Sequence, residues 1–427
     1  MNKIYNERFD ETYYTETLAN GLQVTIIHKP DFLTTTACFA TPYGSLGINQ
    51  KFNGENKNYN PGIAHFIEHK LFEAEGKDIM NRFSELGANV NAFTSYTETV
   101  YFFTKTADDV DDCLNLLLDF VQDLDITEES VEKEKGIIVE EVSMYLQDPN
   151  TQLINESFKS MYLNYPFNKD IGGDKQSVNR ITKAELEDCY SINYHPSNMH
   201  FVVISPIDPE HIIEVIKNNQ NAKNFTAQDR PASNNDPEPK EVVRKEYELE
   251  MDVNKGKSSY AIKIEPHFND NQEAHKTDVA TTLYLSCYFT SLNPNYQKWM
   301  DEGIINDMFG FETYFTKEAA YIIFYMESDD KEALKKLVDN ELSKDLVTTE
   351  KIEQLRKRLI GSSYKVFNDI EDYATGYIRD IVNGIDYFKE IYNIVNMKKD
   401  EIVSIFKGLD LSNYSLVHIS PVDKCKK

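Results

Sequence analysis

Positive charge is scarce in this 427-residue chain: 45 Lys and Arg stand against 71 Asp and Glu, for a net charge of −26. That deficit argues against a basic nucleic-acid footprint and against attraction to an anionic membrane surface. No run reaches the roughly 18 apolar residues that a spanning helix needs. The start, MNKIYNERFDETYYTETLANG, has no apolar segment of a secretory signal. Cysteine is also sparse. Cys38, Cys113, Cys189, Cys287 and Cys425 are odd in number, scattered and in no CxxC spacing. This reads as core or surface thiols in a reducing compartment. The expected location is cytoplasmic, with no nucleic-acid or membrane partner.

The apolar fraction of 41% and charged fraction of 27% are those of a folded globular protein. The length suits two domains of about 200 residues. A polar segment with three prolines, NNQNAKNFTAQDRPASNNDPEPKE from Asn218 to Glu241, reads as a linker. It separates an N-terminal domain, 1–217, from a C-terminal one, 242–427.

The two segments echo each other. VVISPID at Val202 and VHISPVD at Val417 agree in five of seven positions, offset by 215 residues. VYFFTKTADDVDDCLNLLLDF from Val100 and AYIIFYMESDDKEALKKLVDN from Ala320 share a strand, an acidic turn and an amphipathic helix, offset by 220. Two echoes in the same order predict a duplicated domain. Strands and helices mix without strict βαβ alternation. The expected class is α+β: two homologous domains, each a mainly antiparallel sheet with helices packed on one face.

The chemistry concentrates in PGIAHFIEHKLFE, Pro61 to Glu73. Asn58 to Pro61 reads as a helix start. On that helix His65 and His69 lie about 40° apart in projection, so both imidazoles can reach one ion. Glu68 projects beside them and can hold a metal-bound water without ligating the metal. Chance supplies an HxxEH match roughly 0.02 times in a chain of this composition. A core helix with locally bonded histidines is the bland alternative.

A catalytic zinc site needs a third protein ligand and one open position. In SVEKEKGIIVEEVSMY, a helical projection gathers Val131, Ile137, Ile138, Val142 and Tyr145 on one face. Glu134 and Glu141, seven apart, fall within it; Glu132, Lys133, Lys135 and Glu140 fall outside. A carboxylate on an apolar face is costly unless paired or metal-bound. Glu134 or Glu141 is therefore expected to point inward.

Together, His65-Phe66-Ile67-Glu68-His69, NAFTSYTETVYF from Asn91, and the glutamates of EKEKGIIVEE make the chain resemble the pitrilysin/insulinase family of inverted zincins. The resemblance spans nearly the whole chain. It implies Zn²⁺ held by His65, His69 and Glu141, with Glu134 as a supporting acid. It implies that Glu68 activates a Zn²⁺-bound water to hydrolyse unfolded peptides. It also implies that an extended substrate adds to the strand holding Asn91, Ala92, Phe93 and Thr94.

The second segment departs from the family. Active single-chain members carry an Arg and a Tyr seven apart near a glycine. Alignment on Gly303 puts Trp299 and Asn306 there, and no arginine occurs between Arg244 and Arg356. The chain thus resembles the HxxEH-bearing subunit of two-gene bacterial pairs, of the type associated with aminopentanol modification of elongation factor P. Such a subunit works with a paralogous Arg/Tyr-bearing partner as a heterodimer; a homodimer is the other arrangement. The competing reading is a non-catalytic binding or scaffold subunit of the same fold.

Overall fold

The Asn20-Gly21 hairpin signal is realised. Glu11–Thr17 pairs antiparallel with Gln23–His28, and Gly21 takes φ +91°, where a Cβ would stand 2.7 Å from the Ser197 backbone. A computed structural model describes residues 1–74, 77–226 and 228–422. Asp423 of the second echo and Cys425 lie outside the described residues. The other four cysteines are buried and free.

The chain forms two units. The first comprises Met1–Ser143, Lys169–Asn235 and Lys365–Asn383; the second comprises Met144–Asn168, Asp236–Tyr364 and Gly384–Lys427. The first is built on a seven-stranded sheet in the order Asn2–Asn6, Glu11–Thr17, Gln23–His28, His200–Ser205, Thr34–Thr41, Thr99–Thr106, Asn89–Thr94. The second has a five-stranded sheet in the order Glu246–Met251, Tyr414–Pro421, Lys257–Ile264, Ala320–Glu327, Gly310–Phe315.

The last five strands of the first sheet and the five of the second share one topology. In each, the first pair is parallel and every later pair antiparallel. Both sequence echoes fall on topologically equivalent strands. The duplicated α+β design is therefore present.

Each sheet takes a helix from the other half of the sequence. Pro149–Met161 packs on the Tyr414–Pro421 and Lys257–Ile264 strands. Its Leu153 clusters with Val417 and Ile419, and Ser157 Oγ bonds Ser259 Oγ at 2.6 Å. Conversely, Ile370–Val382 packs on Thr34–Thr41 and His200–Ser205, burying Ile370, Tyr373, Ala374, Tyr377 and Ile378. The continuous segments 1–217 and 242–427 each hold one of the two large sheets, but neither unit is continuous in sequence.

Strand alternation fixes the two faces of the first sheet. Tyr101 and Phe103 meet Phe120 and Phe83 from the unit's own helices, whereas Thr104 donates to Glu371 of the exchanged helix at 3.2 Å.

The expected linker is irregular over most of its described length but is held at several points. Helix Pro209–Asn221 runs into it, and Ala232–Ser233 pairs with Gln50–Lys51. Glu238 accepts from the backbone N–H groups of Leu163, Asn164 and Tyr165 at 3.0, 2.7 and 2.7 Å. Among the described residues, no helix is long and apolar enough to cross a membrane.

Candidate metal centre

Helix Ile63–Leu71 starts two residues later than the sequence signal suggests. The reason is Gly62, at φ +92°, where a Cβ would stand 2.5 Å from Gly172 O. Only glycine adopts this turn readily. Ile63, Ala64, Phe66, Ile67 and Leu71 are buried and fix the helix. His65, Glu68 and His69, at i, i+3 and i+4, form one half-buried stripe on the other side. The two imidazole centroids are 4.5 Å apart.

Helix Glu128–Tyr145 supplies the partners. Val131, Ile138 and Val142 are buried, as the projection requires. Ile137 and Tyr145 depart from it, being 46% and 50% exposed. Lys135 departs the other way. It is buried, its apolar stem lies inward, and its Nζ reaches Glu132. Glu140 is exposed.

Glu141 Oε2 lies 3.4 Å from His69 Nε2 and Oε1 lies 3.9 Å from His65 Nε2. One donor atom from each of the three residues falls within 4.8 Å of the others. Ligands about 2.1 Å from a tetrahedral zinc sit about 3.4 Å apart, so the donor set fits such an ion.

Glu134 accepts from His69 Nδ1 at 2.9 Å. This bond fixes the tautomer and turns the Nε2 lone pair toward Glu141. Two lone-pair-bearing atoms facing each other call for a cation or a proton between them. Burial alone would lower the His69 pKa, but the Glu134 carboxylate together with Glu68 and Glu141 outweighs it and raises it. His65 is pushed down to about 4 by burial and by His69, so it is neutral and able to ligate at neutral pH.

Glu68 stands beside this set without joining it. Burial raises its pKa, against lowering contributions from the Thr94 hydrogen bond and His69. Thr94 Oγ1 donates to Glu68 Oε2 at 2.5 Å. The sequence placed Thr94 in a strand for its backbone; its grip on Glu68 was missed, because only the folded sheet brings these residues together.

Asn91, Ala92, Phe93 and Thr94 lie on Asn89–Thr94, which is the edge of the first sheet. Among the described residues its outer side carries no partner strand, and Ala92 N–H is met by the Asn91 side chain at 2.9 Å. In the second unit, Trp299 is buried in the core and Asn306 donates to Glu327 at 2.7 Å. Both are committed within that unit.

Residues 54–175 match the family described as "Insulinase (Peptidase family M16)". Residues 180–359 match the one described as "Peptidase M16 inactive domain". A Bacillus subtilis (strain 168) protein named "Uncharacterized zinc protease YmfH" is 35% identical over 419 residues, 97% of this chain and 94% of that protein. The beta subunit of the mitochondrial-processing peptidase of Neurospora crassa is 27% identical over 205 residues, 47% of this chain and 41% of that protein. The crystal structure of an M16-like protein from Alicyclobacillus acidocaldarius superposes with a TM-score of 0.90 at 28% identity, covering 96% of this chain and 98% of that one.

Proposed function

Because the chain belongs to the insulinase family of zinc metallopeptidases, peptidase family M16, we propose that it is a zinc-dependent endopeptidase subunit acting on unfolded peptides. The observation that carries this reading is the convergence of His65, His69 and Glu141 on one point, with Glu68 beside them. These three side chains would hold Zn²⁺, the family's cofactor. When bound, zinc supplies Lewis acidity, polarising a peptide carbonyl and easing deprotonation of water.

The chain's own residues do the rest. Glu68, steadied by Thr94, accepts the proton of the attacking water and returns it to the leaving amine. Glu134 holds His69 in the ligating tautomer. The free edge of Asn89–Thr94 offers main-chain hydrogen bonds to an extended peptide, setting its scissile bond beside Glu68.

The commitment of Trp299 and Asn306 inside the second unit supports a partner requirement. A paralogous subunit bearing Arg and Tyr would complete substrate binding. A scaffold subunit without turnover is the second reading, and the same observation favours it.

The test is elemental analysis of wild type, His65→Ala, Glu141→Ala and Glu140→Ala. One zinc per chain is expected in wild type and Glu140→Ala, and none in the other two. A zinc-free wild type, or zinc retained in Glu141→Ala, would overturn the ligand set. Peptide cleavage by the chain alone and then with its partner separates an enzyme from a scaffold.

A further inference from the structure

The edge strand beside the candidate centre carries a cation that the metal chemistry does not use. Strand alternation sends Thr94 toward Glu68 and Phe93 to the opposite face, where it meets Phe102 at 6.3 Å. Helix Ile370–Val382 covers that face, and its last turn brings in Arg379. The Arg379 guanidinium carbon lies 5.6 Å from the Phe93 ring centroid. Its Nε lies 3.4 Å from Glu98 Oε1, while the Arg379 side chain is 57% exposed.

Glu98 is an unusual anchor. It is buried in the turn after the edge strand. It accepts from Ser95 Oγ at 2.8 Å, from Thr97 Oγ1 and from Asn383 Nδ2 at 3.0 Å. The turn and the helix end are thus tied through one carboxylate. Glu98 takes the Nε edge of the guanidinium and Phe93 lies under its plane. The edge formed by the two terminal nitrogens remains, and it is the edge that matches a carboxylate in bidentate fashion.

We propose that Arg379 reads a carboxylate side chain on the bound peptide, at the residue that pairs with Phe93 when the peptide extends the edge strand. The inference rests on the edge-strand reading given above. In an added strand every second side chain emerges on the face of its partner residue, with opposed Cβ atoms about 5 Å apart. A side chain opposite Phe93 therefore emerges on the Arg379 face. Its two neighbours emerge on the face of Glu68. The peptide is sorted along its length, with chemistry on one face and charge selection on the other. Arg379 is in this sense a specificity-determining residue.

The test uses the full-length zinc-loaded chain with Glu68→Gln, together with its partner subunit, so that bound peptide is not cleaved. Unfolded peptides, acetylated and amidated to remove terminal charges, carry Asp, Ala or Lys at one position at a time. Binding is read by fluorescence anisotropy. Asp at a single position is expected to tighten binding by about threefold to tenfold over Ala. That advantage disappears in Arg379→Gln, which can still bond Glu98, and turns into a Lys preference in Arg379→Glu. An Asp advantage that survives Arg379→Gln overturns the inference. So does an equal weakening of every peptide, which is what a purely structural arginine would give. If no peptide binds even the parent protein, the edge-strand reading falls and takes this inference with it.

Discussion

The two units repeat one sheet topology and differ in what is laid against the sheet edge. In the second, helix Asn271–Phe289 follows Lys257–Ile264 and packs on the edge strand Gly310–Phe315. In the first, helix Ile63–Leu71 follows Thr34–Thr41 and packs on Asn89–Thr94. The second unit covers its helix with Tyr387–Asn396 and Lys399–Lys407, and seven consecutive residues from Leu283 to Phe289 are buried. The first unit leaves one side of its helix half-exposed, and there stand His65, Glu68 and His69. A duplicated scaffold thus yields one helix that serves as core and one that presents chemistry. The architecture permits a site, and the half-buried polar stripe distinguishes the helix that could form one.

Removing the proposed proton carrier, Glu68, from the half-buried stripe is expected to give the largest effect. Glu68→Gln is expected to keep its zinc and lose peptide hydrolysis by at least about a hundredfold; metal content and single-turnover cleavage measured on one preparation check this. Zinc loss in that variant would assign Glu68 to the ligand set. A smaller effect comes from the supporting acid. Glu134→Ala frees His69 Nδ1 and should weaken zinc affinity by about 10- to 100-fold, read by chelator competition. An unchanged affinity would mean that the first unit holds its histidines by packing alone, as the second holds its core helix.

The smallest expected effect lies in the second unit and should leave the first untouched. Burial alone would raise the pKa of Glu238, but Lys263 and the N–H groups of Leu163, Asn164 and Tyr165 outweigh it and lower it. A depressed carboxyl contributes stability above its unfolded value of about 4.3, and that contribution fades as pH falls through the lower folded value. Glu238→Gln should therefore melt earlier than wild type at pH 7, with the gap narrowing below about pH 4.3. Zinc content should stay unchanged. A gap that is constant with pH would assign the effect to lost packing.

The candidate site was legible to the extent that its residues share a helical period. His65, Glu68 and His69 lie within one turn, and Glu134 and Glu141 recur after seven residues on one face. The strand echoes gave the duplicated sheet for a similar reason, since each is a local pattern read twice. Contacts that join distant segments were not legible. Nothing near Glu98 announces Arg379 or Asn383, which only the exchanged helix brings to it. Lys135 was misplaced because a projection scores its charge and ignores its four-carbon stem.

The reciprocal exchange of helices also governs when the molecule can exist. A ribosome releases the strands of the first sheet by Ser205, yet the helix that covers one of its faces ends at Val382. Until then Thr34–Thr41 and His200–Ser205 present an apolar surface with its cover still unmade. Such a surface is the kind that nascent chains hide with chaperones or lose to aggregation. A chain that stopped before Ile370 would lack the residues that cover this face.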